Sequence, residues 1–324
     1  MANLPMEEDK WGDIAVNDPA RRANYSGVTG AQTGYCTDTL DELWASASTF
    51  FFAVYHDRQW QQRTRQLWKP KHLFYIFLMY IHSYPAKDRC VDVLRTKRVA
   101  GVPYDTFFRT VMPLARNWNQ GISHIRWNDR LDPMNHHPFF PYDTTVIWDT
   151  TCFRVQKSRD WTFARNTVNG HYDFPCYLVL IGITFLGQIV YASGLMRSVA
   201  YDAHIFEDTA YLHPQFDWEM NIGDGHFATC PRFFTPEQAT GGRTLSSAEA
   251  TWNEWIQLPR SRIEHLNSVT KSHAMFRGEP FRGWVRNLKV FVNVSLHAAA
   301  AQQRMNQKNR GDRYAGFGPW RHGP

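Results

Sequence analysis

Two neighbouring apolar segments in the middle of the chain constrain its fold more than any other feature of the sequence. Residues 175–185, PCYLVLIGITF, form a continuous apolar run, and residues 188–194, QIVYASG, follow it after a Leu-Gly dipeptide. Two such runs joined by a short Gly-containing turn are typical of a β-hairpin. Residues 144–155, TTVIWDTTCFRV, precede the hairpin and have the β-branched and aromatic composition of another strand. The middle of the chain is therefore predicted to form a sheet.

Helical patterns follow these strands, so the predicted fold class is α/β, with a mixed central sheet flanked by helices. Helices are predicted over residues 202–212, 246–258, 260–277 and 284–306. Between the first two of them, residues 216–227, FDWEMNIGDGHF, are predicted to form a short strand that runs into a Gly-flanked loop.

The part of the chain before the strands has helical patterns only. Residues 73–84 are apolar on nearly all sides and predict a buried helix, while 88–101 and 103–120 predict two more helices joined by a Gly-containing turn. This order matches the outline of a helix-turn-helix unit, in which Arg109 and Arg116 of the third helix would contact DNA. An ordinary helical subdomain with the same apolar residues in its core fits the pattern as well.

Shifts in composition predict four segments along the chain. Residues 1–42 are predicted to form a mobile acidic leader, and residues 43–135 the helical, helix-turn-helix-like domain. A Pro- and His-rich stretch at 130–143 marks the boundary to a strand-containing domain over residues 136–306. Residues 307–324 are basic and Gly-rich, and they predict a flexible tail.

Charge is distributed unevenly along the chain. The whole sequence has a net charge of +6, but residues 1–43 contain three basic and eight acidic residues and carry −5, so the remainder carries +11. A basic body favours a polyanionic partner such as nucleic acid. A generally basic surface without such a partner is equally compatible with the charge.

Cysteine spacing and the apolar runs indicate the compartment. The five cysteines are odd in number, widely spaced and without a C-x-x-C pair, so free thiols in a reducing compartment are expected. The N-terminus lacks the basic and apolar regions of a signal peptide. The longest apolar run, residues 177–191, is shorter than a membrane span. An intracellular protein without a membrane partner is therefore expected.

Three acidic residues occupy positions that local structure does not explain. Asp149 ends the apolar run VIWD, Asp224 lies in IGDGH after the short strand, and Glu264 lies in the helical segment RIEHLNSVTK. Ligands bind at strand ends in α/β sheets, and carboxylates are what hard cations such as Mg²⁺ prefer. Ordinary alternatives are a turn acceptor, a loop cap, and an ion pair of Glu264 with Arg260 or Lys271.

The order of these elements resembles the core of RNase H-like nucleases, and the motifs resemble DDE-superfamily transposases and endonucleases of the PIF/Harbinger type. The resemblance covers roughly residues 70–305 and includes the helix-turn-helix-like segment. VIWDTTCF is similar to the family strand that ends in Asp, and GDGHF to its Gly-Asp-x-x-Tyr/Phe element. IEHLNSVTKSHAMF is similar to the Glu-containing helix, and SGLMRSVAYDAHIF loosely to the segment before a preceding helix.

This resemblance implies an RNase H-like catalytic domain and a specific chemistry. Asp149, Asp224 and Glu264 would be the catalytic residues and would bind two Mg²⁺ or Mn²⁺ ions for cleavage and joining of DNA phosphodiester bonds. Lys271, on nearly the same helix face as Glu264, would contact a phosphate. The resemblance further implies a nuclear protein whose partners are DNA, a separate Myb-like DNA-binding protein and further copies of itself.

Two other functions are compatible with the same residues. A domesticated, transposase-derived DNA-binding or scaffold protein would keep the fold without transposition, and loss of a triad carboxylate would not affect it. A phosphohydrolase with the same carboxylate geometry would act on small phosphate esters and show little salt-dependent affinity for DNA.

Overall fold

The structure of the protein is a computed structural model, and it divides into two compact units. One unit comprises Met1–Ile122 and Ser272–Arg277, and the other comprises Ser123–Lys271 and Gly278–Pro324. The residues that the structure describes are 11–14, 30, 32–55, 69–95, 101–122, 124–135, 143–158, 167–168, 172–198, 201–209, 215–239, 241 and 243–309.

The first unit is helical. Its helices are α1 (Trp11–Ile14), α2 (Thr37–Tyr55), α3 (Pro70–Ser83), α4 (Cys90–Val93), α5 (Tyr104–Thr106) and α6 (Met112–Gly121), and a further helical turn spans Ala274–Arg277. As its apolar sequence predicts, α3 is buried over all of residues 73–81. Pro70 at its first turn costs no hydrogen bond there, because the first N–H groups of a helix have no partner within it.

Of the two helices predicted after α3, the first is not observed as predicted, and the second matches its predicted range but contains a π-helical turn. In place of a helix over 88–101, the described residues form a short 3-10 turn and α4, and residues 96–100 lie outside the described part. Between α5 and α6 the chain continues as a π-helical turn over Phe107–Val111, just before Pro113. Proline has no N–H for the carbonyl one turn earlier, and this favours a local change of hydrogen-bond pattern.

The sequence predicts a mobile leader over residues 1–42, but the described part of that segment packs into the first unit. Trp11 and Ile14 of α1 are buried. The Trp11 indole stacks on Tyr75 at 6.1 Å between ring centroids, and its Nε1 donates to Asp41 Oδ1 at 2.6 Å. A buried aromatic ring whose polar edge is hydrogen-bonded stabilises the packing of such a segment. The acidic composition of residues 1–42 does not predict this contact.

A histidine cluster holds the Ser272–Arg277 segment within the first unit. His273 is buried, and its Nε2 lies 2.6 Å from the Tyr35 hydroxyl, while its Nδ1 lies 3.2 Å from His82 Nδ1. Gly34 has φ +82°, and a Cβ there would lie 2.8 Å from the His273 ring. The cluster therefore requires glycine at this position.

Acid is expected to destabilise the first unit through His273. Burial, with a contribution from His82, lowers the pKa of His273 to about 3. Unfolded His273 takes up a proton below pH ~6.5 and folded His273 does not, so stability is full above that pH and falls between ~6.5 and ~3. From pH 7 to pH 5, wild type should lose about 2 kcal/mol more than His273→Gln in urea unfolding. An equal loss in the variant would contradict this assignment.

The second unit is an α/β unit. In its described residues, a six-stranded mixed sheet contains β1 (Thr144–Arg154), β2 (Cys176–Ile183), β3 (Ile189–Ala192), β4 (Met196–Arg197), β5 (Met220–Ile222) and β6 (Phe233–Phe234). The order is β3-β2-β1-β5-β6, with β4 also paired to β2. Strand β2 pairs with β1 and with β3 in antiparallel fashion, whereas β5 is parallel to β1 and β6 is parallel to β5. The predicted strand pattern and fold class are confirmed at this level.

Helices flank this sheet: α7 (Asp202–Thr209), α8 (Ser247–Lys271) and α9 (Val285–Asn309). Side chains alternate between the two faces of a strand. Trp148 of β1 and Ile205 of α7 belong to one apolar cluster, and α8 packs against β1 and β5.

Helix α8 is continuous where the sequence predicts a break between residues 258 and 260. It continues through Pro259, which is buried. Packing of the residues on both sides of Pro259 offsets the one hydrogen bond that proline cannot make.

The boundary between the units lies earlier than the sequence predicts. It falls after Ile122, whereas the Pro- and His-rich stretch suggests 130–143. Residues 124–135 belong with the sheet: the Ile125 N–H donates to the Ile189 carbonyl at 3.1 Å. Residues 136–142 of the predicted boundary and 310–324 of the predicted tail lie outside the described residues.

A buried ion pair connects residues 124–135 to the sheet. Arg130 Nε and a terminal guanidinium nitrogen donate to the two carboxylate oxygens of Glu219 at 2.8 and 2.6 Å, and neither side chain is exposed. Glu219 also accepts from the Thr145 hydroxyl and the Phe216 N–H, and Arg130 donates to the Trp127 carbonyl. Each charged group in this pair therefore has several partners, as a buried ion pair requires.

Among the described residues, no helix is both long enough and apolar enough to cross a bilayer.

Candidate functional site

The sheet places Asp149 and Asp224 side by side. Ile147 of β1 pairs with Ile222 of the parallel strand β5. Each aspartate follows its paired residue by two positions, so both lie at the same level of the sheet, where β5 has ended and β1 continues. The predicted position after a strand end is found for Asp224, whereas Asp149 lies within β1, which continues to Arg154.

The strands at this point are held together by a polar contact. Trp148 Nε1 donates to Asn221 Oδ1 at 2.9 Å, and both side chains are buried. Gly223 precedes Asp224, and a Cβ there would lie 2.7 Å from the Phe227 ring. The Asp224 carboxylate accepts from the His226 N–H at 2.9 Å and caps a 3-10 turn. These neighbours fix the level of Asp224 relative to β1.

The environment of Asp149 is acidic and largely buried. Burial and the negative charge of Asp224 raise the pKa of Asp149 to about 7, with a smaller contribution from Asp202. Arg260 and the Thr150 N–H, which donates to Asp149 Oδ1 at 2.9 Å, act in the opposite direction. Clustered carboxylates of this kind favour a cation between them, since each disfavours the charge of the next.

Glu264 faces other residues of its own helix. Its carboxylate oxygens both accept from Gln257 Nε2 at 3.1 Å, and Oε1 lies 3.3 Å from a guanidinium nitrogen of Arg260. Arg260 also donates to Gln257 Oε1. The ion pair with Arg260, one of the ordinary alternatives for Glu264, is therefore present. The Glu264 side chain is 43% exposed, so this pair contributes little to stability.

Asn267, one turn further along α8, makes the direct contact with the site. Its Nδ2 donates to Asp149 Oδ2 at 2.7 Å, and the residue is buried. Asn267 is not among the residues predicted from the sequence. The one available signal is its helical spacing from Glu264, which places both on the face that also carries Lys271.

Lys271 lies beside a cysteine. Its Nζ is 4.0 Å from the sulfur of Cys152, which follows Asp149 along β1. The pKa of the Cys152 thiol is lowered to about 6, mainly by a hydrogen bond with Cys176 and also by the charge of Lys271. A phosphate that Lys271 contacts, as predicted, would therefore compete with this thiol for the lysine ammonium group.

Arg109 and Arg116 lie in the first unit. Arg109 is exposed on the π-helical turn, and Arg116 is half-buried on α6. Both residues lie in the predicted third helix, and α5, the π-helical turn and α6 together nearly match the range predicted for that helix.

The donor atoms at the sheet decide whether a divalent metal could bind there. Among the described residues, no three side chains of His, Cys, Asp or Glu are arranged to hold a metal ion. The carboxylates of Asp149 and Asp224 are accompanied instead by the Asn267 amide, whose buried Oδ1 has no hydrogen-bond partner among the residues described. Two carboxylates and an unpartnered amide oxygen are the donors that Mg²⁺ or Mn²⁺ accepts, so these residues fit the metal.

Comparison with known proteins adds no relative: no family model, no curated protein and no solved structure matches this chain. The class that its fold defines is an α/β protein with a mixed sheet flanked by helices.

Proposed function

We propose that this protein is a metal-dependent DNA endonuclease or transposase with an RNase H-like core, which cleaves and joins phosphodiester bonds. The observation that carries the proposal is the common level of Asp149 and Asp224 on parallel strands, with α8 packed beside them. The order strand-Asp, hairpin, helix, strand-Asp and carboxylate-bearing helix is the same order on which the resemblance to RNase H-like nucleases depends.

Asp149 and Asp224 hold the divalent metal in this proposal, and α8 supplies the remaining oxygen, for which the resemblance names Glu264. Two Mg²⁺ or Mn²⁺ ions, when bound, provide an activated nucleophile and stabilise the leaving oxygen in an in-line displacement. Asn267 orients Asp149 through its 2.7 Å hydrogen bond. Arg260, which lies on α8 with Asn267 and near Asp149, offers a positive charge to a phosphate oxygen.

The test of this proposal is a cleavage assay on duplex DNA with Mg²⁺ or Mn²⁺ and an EDTA control. A second assay with a short oligonucleotide carrying a free 3′-hydroxyl measures strand joining. Metal-dependent cleavage supports the proposal. Absence of cleavage with both metals, together with hydrolysis of a small phosphate ester, would instead support the phosphohydrolase alternative.

A domesticated DNA-binding or scaffold protein is the second candidate. It is favoured by the engagement of Glu264 with Arg260 and Gln257, because this contact occupies the carboxylate that the family chemistry uses. Such a protein would bind DNA with normal salt dependence and would not cleave it with either metal. As implied by the resemblance, we further propose a nuclear location and a separate Myb-like partner.

DNA binding by the helical unit, as a helix-turn-helix, is part of the proposal. Changing Arg109 and Arg116 to Ala is expected to weaken DNA binding and to flatten its salt dependence by about one unit of slope for each phosphate that these arginines neutralise. Arg89→Ala, an exposed arginine outside the proposed reading helix, is the matched control. Fluorescence anisotropy over a salt series measures both quantities.

Cleavage at saturating DNA should survive in the Arg109 and Arg116 double variant, because the carboxylates belong to the other unit. Normal binding combined with abolished cleavage would contradict a DNA-reading role for this helix. Equal weakening by Arg89→Ala would show a general charge effect instead of a reading helix.

A further inference from the structure

Asn267 is a buried polar side chain with one end unsatisfied. The residue is 8% exposed, and its amide nitrogen donates a hydrogen bond to Asp149 Oδ2 at 2.7 Å. Within the part of the chain that the structure describes, its amide oxygen has no hydrogen-bond partner. A buried oxygen without a donor is unfavourable unless something positively polarised meets it. Because the nitrogen on the same carbon contacts Asp149, the oxygen also lies close to that carboxylate.

Glu264 differs from Asn267 in each of these respects. It lies three positions earlier on α8, its side chain is 43% exposed, and both its oxygens already accept from Gln257. A guanidinium nitrogen of Arg260 lies 3.3 Å from one of them. To bind a cation beside Asp149, Glu264 would have to give up these partners, whereas Asn267 would gain its missing one.

We propose that Asn267, and not Glu264, supplies the helix oxygen of a divalent-cation site formed with Asp149 and Asp224. This inference rests on the proposed function and names the third ligand of that same site. The two ends of the amide have separate tasks: Nδ2 orients the Asp149 carboxylate, and Oδ1 is the ligand. Amide oxygens are regular ligands of hard cations, alongside carboxylates. Glu264 then serves to hold Arg260.

Mn²⁺ binding, measured without DNA, tests the assignment separately from activity. The metal-free full chain is titrated with Mn²⁺ alone by calorimetry, for wild type, Asn267→Ala, Asn267→Asp and Glu264→Gln. Asn253→Ala is the matched control, because Asn253 lies on the same helix and contacts Glu237 instead of the site. Thermal melting in EDTA identifies any variant that fails to fold.

Removal of the ligand in Asn267→Ala should weaken Mn²⁺ binding about tenfold or more, while Glu264→Gln and Asn253→Ala should stay within about threefold of wild type. Asn267→Asp should bind Mn²⁺ within about tenfold of wild type and more tightly than Asn267→Ala, because a carboxylate oxygen replaces the amide oxygen while the Nδ2 donation to Asp149 is lost. A residue that only donated to Asp149 would behave differently, since Asn267→Asp would then repel that carboxylate and bind no better than Asn267→Ala.

Other outcomes separate this inference from the proposed function. A tenfold loss of affinity in Glu264→Gln, or binding by Asn267→Asp that is no better than that of Asn267→Ala, overturns the role of Asn267 and leaves a metal-dependent nuclease in place. Absence of Mn²⁺ binding to wild type overturns both. If Asn267→Ala does not fold, Asn267→Asp and Glu264→Gln still decide between the two ligands.

Discussion

Replacement of Asp149 or Asp224 by Asn is expected to reduce Mg²⁺- or Mn²⁺-dependent DNA cleavage by roughly 1000-fold or more. Each change removes a charged metal ligand, and a bound metal stabilises the developing charge by several kcal/mol, with each ~1.4 kcal/mol equal to a factor of ten in rate. Single-turnover cleavage of a labelled duplex measures the effect. Asp217→Asn, which changes a fully exposed aspartate of the same unit, should retain wild-type activity.

Folding should survive these substitutions. Asp149 lies among like charges that raise its pKa, so removal of its negative charge relieves repulsion, and an Asn oxygen can still accept from Asn267. The thermal transition in EDTA should stay within a few degrees of wild type or rise. Cleavage that persists in either variant would remove that aspartate from the site, and a large fall in melting temperature would point to a structural role.

Glu219→Ala is expected to destabilise the second unit by about 3–5 kcal/mol. The change leaves the fully buried Arg130 guanidinium without its carboxylate and removes the acceptor of Thr145 and of the Phe216 N–H. An uncompensated buried charge is far more costly than a broken surface pair. Urea unfolding monitored by tryptophan fluorescence measures the loss of stability.

Two comparisons make this prediction specific. Asp105→Asn disrupts the exposed Lys87–Asp105 pair and should cost less than about 1 kcal/mol. The double variant Arg130→Met, Glu219→Leu should be much less destabilised than Glu219→Ala, because no unpaired charge remains. Equal effects of Glu219→Ala and Asp105→Asn would show that water reaches Arg130 in the folded state.

Local sequence patterns predict most of the sheet. The strands β1, β2 and β3 follow from β-branched and apolar runs, because a strand buried on both faces needs apolar side chains at successive positions. The helix α3, which precedes these strands in the chain, is likewise predicted from a continuous apolar run, because a helix buried on all sides needs apolar side chains all round. The short strand β5 is predicted within a wider range, since three residues carry little pattern of their own.

Other features depend on contacts between residues far apart in the chain. Helix α8 passes through Pro259, although proline locally favours a break, because its two halves pack as one element. The docking of α1 depends on Trp11 meeting Tyr75, which no local pattern indicates.

Sequence alone predicted the α/β class and the apolar strand segments beside Asp149 and Asp224, because both depend on side-chain patterns within a few residues. Tertiary structure decided which α8 side chain reaches Asp149, since helical spacing places Glu264 and Asn267 on one face and only packing against β1 selects between them. It also decided that Arg130 pairs with Glu219, because long-range pairing leaves no periodic signal in the chain.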